Sequence, residues 1–295
     1  MISEYVENSV RSIPGLQDGG LKVARAVHTA VLNGGDPVRT MADVLHGTWL
    51  GHPLHPVLTD IVIGAWSLGA LFDGVASTNG SRDAERMADT LTAVGTLAAV
   101  PTAITGLTDY STIPQHAAST GTLHGLLNST SLVLYLLSLR DRKNGHRNRG
   151  IVFSTIGYGL AAVSAWLGGD LVYRQHVGVD HAESVSKPAE WKAVLDETEL
   201  REQQPKRVEV EGHPVLLYRY GGTVYAIGAV CSHAGGPLEE GTFEELSVQC
   251  PWHDSVFDLR NGSIEHGPAT YAEPNYAARI QNGRVEVRVR HSSQS

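Results

Sequence analysis

The chain has 295 residues, with 31 Asp and Glu against 23 Lys and Arg, for a formal net charge of −8. That length has room for two domains, and the acidic balance argues against a general nucleic-acid role. Charged residues make up only 18% of the chain and are unevenly placed.

Residues 1–50 form a polar, mixed segment, and Met1 to Asp18 has no apolar core of the kind a cleavable signal peptide carries. Val23, Ala26, Val27, Ala30 and Val31 recur at helical spacing. Gly20 to Leu32 is therefore expected to be an amphipathic helix, broken by Asn33-Gly-Gly-Asp-Pro37 and packed on its own protein, with the membrane surface or the C-terminal domain as the alternative seats.

Residues 54–72, 91–107, 123–139 and 151–167 are four apolar runs that contain a single carboxylate, Asp60. Each approaches the ~20 residues that a bilayer core requires, so four transmembrane helices are expected within residues 51–180. Gly51-His-Pro-Leu-His-Pro56 opens the first, with proline suited to a first turn. Pro101 is expected to kink the second, and small residues let these helices approach closely. The loop Arg140 to Arg149 holds five Lys or Arg, and Arg82 and Arg86 lie on the same side, whereas Asp109 to Thr122 has none. The positive-inside rule then places the basic loops in the cytoplasm and the C-terminal domain outside. Export of a folded domain would need a twin-arginine signal, of which Arg147-Asn-Arg149 is a degenerate form.

His46, His52, His55, His116, His124, His176 and His181 fall on one side of the membrane, and only His146 on the other. An intramembrane ionisable residue is functional by default. His52, His55, Asp60, His116, His124 and His176 are thus candidates for a haem b or quinone site, with His55 and His124 the first pair. The competing reading is interfacial histidines bonded to backbone and headgroups.

Residues 181–205 read as a linker holding a short helix near Trp191 and Leu195. Short alternating strands are expected beyond it, at Arg207–Val210, Val215–Arg219, Thr223–Ile227, Leu246–Gln249, Val256–Asp258 and Arg284–Val289. The fold class is therefore α + β multidomain, a four-helix transmembrane bundle followed by a small all-β domain over 206–295.

That domain carries Cys231-Ser-His233 and Cys250-Pro-Trp-His253, and these are the chain's only cysteines. Two Cys and two His on two loops suit zinc or an iron–sulfur cluster. A zinc finger usually draws its cysteines from one loop and its histidines from another. Here each loop carries one of each, as a Rieske 2Fe–2S cluster requires. Cys231-Ser-His-Ala-Gly-Gly-Pro-Leu, Cys250-Pro-Trp-His-Asp-Ser-Val-Phe-Asp-Leu and Asn261-Gly262 closely resemble the ferredoxin-type Rieske family. The resemblance implies that Cys231 and Cys250 hold one iron and His233 and His253 the other. It also implies that backbone N–H groups of Ala234, Gly235 and Gly236, and around Asp254 and Ser255, donate to sulfur. His266-Gly267-Pro268 would cover the cluster. Asp254 stands where this branch commonly has glycine. With no cysteine left for a disulfide beside the cluster, the chain is similar to the lower-potential branch, within a range of ~−150 to +300 mV.

A second resemblance rests on His-Pro-Leu-His-Pro56, Gly106-Leu-Thr-Asp109-Tyr and His124-Gly-Leu-Leu-Asn128. These are similar to an uncharacterised bacterial four-helix membrane domain, sometimes fused to a Rieske domain. The function expected is one-electron transfer at a membrane, with the cluster exchanging electrons with quinone or haem. The alternative is a tethered ferredoxin feeding an oxygenase or reductase, and a third reading is a non-redox scaffold. A Rieske oxygenase would carry a large further domain, and only 42 residues follow His253. An electron carrier or oxidoreductase subunit is expected rather than a stand-alone enzyme. No nucleotide-binding glycine motif is present, so electrons must come from another protein or a lipid-soluble carrier. Expected partners are the lipid membrane, a redox protein or quinone, and further copies of the chain as a homo-oligomer.

Overall fold

The computed structural model describes residues 2–182 and 190–289. Seven helices come first: α1 (Ile2–Arg11), α2 (Leu16–Asn33), α3 (Gly35–His46), α4 (Leu54–Asn79), α5 (Arg82–Tyr110), α6 (Ala118–Lys143) and α7 (Arg147–Tyr173). Ten strands follow. The chain divides into two units, Met1–Gly35 with Pro53–Val177, and Asp36–His52 with Gly178–Ser295.

In the first unit, α4 to α7 are each long and apolar enough to cross a membrane. Their ends are set by local chemistry. Gly80, at φ 66°, closes α4 by donating its N–H to Ala76. Ser81 then caps α5 through Ala84, with Asp83 and Glu85 in the first turn. Pro101 lies inside α5, which continues through it. The helices pack as two hairpins, α4 with α5 and α6 with α7. Trp66 and Tyr135 stack at 3.8 Å within a core that also holds Val62, Ala99 and Ala161. Small residues make room for the rings: a Cβ on Gly95 would lie 2.4 Å from Trp66. Large apolar side chains cover the outside, and Leu97 is 76% exposed.

The helices extend past the apolar runs and bury charges that the runs did not contain. Arg142 donates to Asp73 and Asp89, and Arg147 donates to the same two carboxylates. Both Arg142 and Asp73 are buried. A cavity of about 200 Å³ beside them is lined by Trp66, Asp73, Thr92, Tyr135 and Ser154.

The expected N-terminal helix is present as α2, with a different contact face. Gly20 and Ala24 are its buried residues, while Val23 is half-exposed. A Cβ on Gly20 would come 2.0 Å from Thr122 Oγ1, so a side chain there would hold α2 away from α6. Small size at the contact, rather than the Val and Ala stripe, selects the face.

The second unit contains β1 (Lys192–Asp196), β2 (Lys206–Val210), β3 (His213–Tyr220), β4 (Thr223–Gly228), β5 (Thr242–Glu244), β6 (Ser247–Gln249), β7 (Val256–Asp258), β8 (Ile264–His266), β9 (Asn275–Gln281) and β10 (Arg284–Val289). They form a six-stranded sheet, β1-β10-β9-β4-β3-β2, and a four-stranded sheet, β5-β6-β7-β8. Lys192–Asp196 is therefore an edge strand paired with β10, where a short helix was expected. A 3-10 turn, Glu197–Glu199, follows it. The linker's residues 183–189 lie outside the described residues. Gly221-Gly222 and Asn282-Gly283 make the hairpin turns with positive φ throughout, as tight hairpins demand. Leu216, Ile227, Leu238, Val248, Phe257 and Leu259 form the core beneath the cysteine loops.

Candidate metal centre

Two loops are built alike. In the first, after β4, the Cys231 N–H bonds to Gly236 O at 2.8 Å, and the Gly235 N–H returns to Cys231 O at 2.8 Å. In the second, between β6 and β7, the Cys250 N–H bonds to Ser255 O at 2.8 Å and the Asp254 N–H to Cys250 O at 3.2 Å. Each cysteine thus opens a closed turn that aims its thiol inward and the histidine after it outward. Both cysteines are buried and share a thiol–thiol hydrogen bond, with no disulfide. The His233 and His253 rings lie 5.0 Å apart, nearly perpendicular and half-buried. Trp252 beside them is exposed.

Backbone conformation explains the residue types. Gly235 has φ 81°, and a Cβ on Gly236 would lie 2.8 Å from Cys250 Sγ. Asp254 has φ 64°, a left-handed conformation that favours glycine and tolerates Asp. Its carboxylate accepts from the Gln249 side chain. The N–H groups that reach the thiol sulfurs belong to His233 for Cys231, and to Trp252 and His253 for Cys250.

A third loop, with a cis bond between Gly267 and Pro268, is tied to the second by Ala269 N–H donating to Ser255 Oγ at 3.0 Å. Asp43 on α3 holds that loop from the other side. Its Oδ1 accepts the Gly267 N–H at 2.8 Å, and its Oδ2 lies 2.9 Å from His266 Nδ1. Glu273 supports the first loop, with Oε1 accepting the Ser232 N–H at 2.7 Å.

The hydrogen bond from Cys250, together with burial, pushes the Cys231 thiol far up from its ordinary value. The same bond lowers Cys250. Side by side in an apolar setting, the two thiols give up both protons only against a positive charge. Burial also pushes Glu273 up to about 8, against the lowering effect of the Ser232 bonds.

The donors therefore come as two pairs, thiols together and imidazoles together. Among the described residues, no three His, Cys, Asp or Glu side chains are arranged around one ion. A two-iron cluster divided between two sulfur and two nitrogen donors fits this set. Neither Asp43 nor Glu273 was evident from sequence. Asp43 lies more than 200 residues from its partners, and no local motif marks either one.

Of the membrane candidates, the structure brings His55 and His124 together, with their rings 6.3 Å apart. His55 Nδ1 is 2.9 Å from Thr102 O, and His124 Nδ1 is 2.8 Å from Ser164 O. His116 bonds to Gln175 O through Nε2. Asp60 is exposed on α4, and His176 is exposed with φ 55°. His52, His46 and His181 belong to the unit that carries the cysteine loops.

Residues 190–277 match the Rieske 2Fe-2S domain family, and residues 51–181 match the family described as "Predicted membrane protein (DUF2231)". The anthranilate 1,2-dioxygenase ferredoxin subunit of Burkholderia cepacia is 34% identical, over 34% of this chain and 94% of its own length. The ferredoxin component of the naphthalene 1,2-dioxygenase system of Pseudomonas putida is 29% identical, over 33% of this chain and 93% of its own. Among solved structures, the ferredoxin of carbazole 1,9a-dioxygenase from Nocardioides aromaticivorans IC177 is 30% identical. It is covered in full by 36% of this chain, with a TM-score of 0.33.

Proposed function

Since the chain belongs to the Rieske 2Fe-2S family through its C-terminal unit, we propose that it is a membrane-tethered one-electron carrier. The observation that carries this reading is the pairing of Cys231 with Cys250 in the interior and of His233 with His253 toward the surface. Cys231 and Cys250 would hold one iron and His233 and His253 the other. When bound, such a cluster accepts and releases single electrons, at a potential set by its ligands and their hydrogen bonds. The protein's part is to keep the two turns in register and to shield the thiolates. The N–H groups of His233, Trp252 and His253 point at sulfur, and the imidazole edges stay near solvent, where a partner can approach. Cys250→Ser and His233→Ala should each abolish the cluster's EPR signal in detergent-purified protein. Persistence of the signal in either variant would overturn the ligand set.

His55 and His124 favour a second reading of the membrane unit, as a seat for quinone or haem that exchanges electrons with the cluster. A carbonyl only accepts, so each Nδ1 carries a proton, and in a neutral ring that leaves the lone pair on Nε2. Fixing Nδ1 on a main-chain carbonyl is how proteins orient imidazoles that ligate or take protons. The His124 lone pair accepts from Asn128 at 3.0 Å. An absorption band beyond the cluster's own, lost in His55→Ala, supports haem. Cluster reduction by added quinol, lost in the same variant, supports quinone. The alternative, delivery of electrons to a soluble oxygenase, draws on the relatives' names and predicts turnover that His55→Ala leaves unchanged.

The basic loop Arg140 to Arg149 supports a cytoplasmic position for that end of the helices, and hence an extracytoplasmic C-terminal unit. A reporter enzyme active only outside the cytoplasm, fused after Ser295, should be active; inactivity would reverse the orientation.

A further inference from the structure

Helix α3 is amphipathic the wrong way round for a helix between protein and water. Its polar stripe faces the protein. Arg39 approaches Asp254 O at 3.5 Å, Asp43 binds Gly267 and His266, and His46 is buried. Ala42 completes this face. The apolar stripe faces out: Val38 is 41% exposed, Met41 59% and Val44 46%. Trp49, in the 3-10 turn Thr48–Leu50 that follows, is 65% exposed. Its indole N–H donates to Val44 O at 3.2 Å, which fixes the ring beside the same stripe.

Water is a poor environment for that face, and chain continuity indicates what replaces it. The first apolar span begins at Leu54, eight residues after α3 ends at His46. A helix with aliphatic residues on its outer face and a tryptophan at its end, joined so closely to a span, has the composition of an interfacial helix. Tryptophan favours the headgroup level, where its ring is apolar and its N–H is satisfied.

We infer that α3 and Trp49 lie in the membrane interface, with Val38, Met41 and Val44 among the lipids. On its opposite face Asp43 grips the loop of Gly267 and Pro268, and Arg39 the turn of Asp254. The helix thereby holds the cluster loops against the lipid surface. A tip held in this way serves a partner in or on the membrane. The inference rests on the tethered reading, and goes beyond it by naming the surface that meets the lipid.

The test uses the full chain in nanodiscs of phosphatidylcholine and phosphatidylglycerol. Met41→Cys, Val44→Cys, Leu97→Cys or Glu209→Cys, introduced one at a time, carries an environment-sensitive fluorophore; the two native cysteines are buried. Labels at 41 and 44 should emit to the blue and be quenched by shallow spin-labelled lipids. The label at 97 should be quenched by deep ones, and that at 209 by neither. Labels at 41 and 44 that behave like 209, with 97 quenched, would overturn this inference and leave the tether standing. An unquenched 97 would overturn both. A blue shift at 41 and 44 without lipid quenching would mean that protein covers the face, and would also overturn it. Trp49→Phe provides a label-free measurement. It should remove part of the tryptophan emission quenched by brominated lipids, and an unchanged quenched fraction would refute the placement.

Discussion

Gly235 and Gly236 are adjacent, yet they are glycine for different reasons, and substitution separates them. A Cβ at 236 would lie 2.8 Å from Cys250 Sγ and 3.2 Å from the Trp252 ring. As a ligand in the proposed cluster, the sulfur would be fixed and could not swing aside, so the two loops would have to part. Overpacking of this kind costs about 1–3 kcal/mol, or roughly a 5- to 150-fold shift in the balance between closed and open loops at 1.4 kcal/mol per decade. At 235 a Cβ meets nothing within 4 Å, but φ is 81°. There the cost is strain alone, about 1–2 kcal/mol for Ala and less for Asn, which tolerates the left-handed region. The assay is the rate at which purified protein loses its cluster absorbance to an iron chelator, alongside the EPR line shape. Gly236→Ala should lose the cluster roughly 5- to 150-fold faster, with an altered line shape. Gly235→Asn should approach the wild-type rate and line shape, while Gly236→Asn should be worse than Gly236→Ala. A Gly236→Ala protein with wild-type kinetics and line shape would refute the close approach on which the site geometry depends.

Arg142→Met would leave the buried Asp73 carboxylate with Arg147 as its remaining guanidinium partner. Breaking a buried pair costs about 3–5 kcal/mol. The detergent-solubilised protein should melt markedly lower, with recovery when Asp73→Asn is added; no recovery would mean that the cost is not electrostatic. Glu273 provides a pH test. Its folded value of about 8 exceeds the ordinary 4.5, so between these values the unfolded chain has released a proton that the folded chain keeps. Stability therefore falls as pH rises across that window, by up to about 5 kcal/mol. Glu273→Gln should flatten the dependence of the denaturation midpoint between pH 5 and 8, and an unchanged slope would show that the carboxyl titrates normally. Asp43→Ala removes two acceptors from the loop of His266 and Gly267. Amide exchange there should accelerate by roughly tenfold or more, and unchanged protection would show that α3 does not hold the loop.

The parts legible in the sequence were those where one local pattern carries the information. Cys231-Ser-His233 and Cys250-Pro-Trp-His253 identify paired loops by spacing alone, and four apolar runs identify four long helices. Gly221-Gly222 and Asn282-Gly283 mark two hairpin turns because positive φ selects those residues. What stayed hidden depended on distance along the chain. Asp43 meets Gly267 across 224 positions, and its helix shows no motif. Asp73 and Arg142 lie beyond or at the ends of the apolar runs, so their burial follows only from where the helices pack. Lys192–Asp196 has a mixed polar composition, and becomes a strand because β10 offers it an edge to pair with. Asp254 lies between these cases. Its position suggested glycine, and the reason, a left-handed turn that Asp can adopt, required the backbone.

The most direct test of the account is iron and acid-labile sulfide analysis of the detergent-purified full chain, with EPR of the same sample before and after dithionite. The account predicts two iron and two sulfide per chain and a Rieske-type signal that appears on reduction. Stoichiometric zinc without sulfide, and no signal on reduction, would mean that the four residues form a single-ion site, and would contradict it.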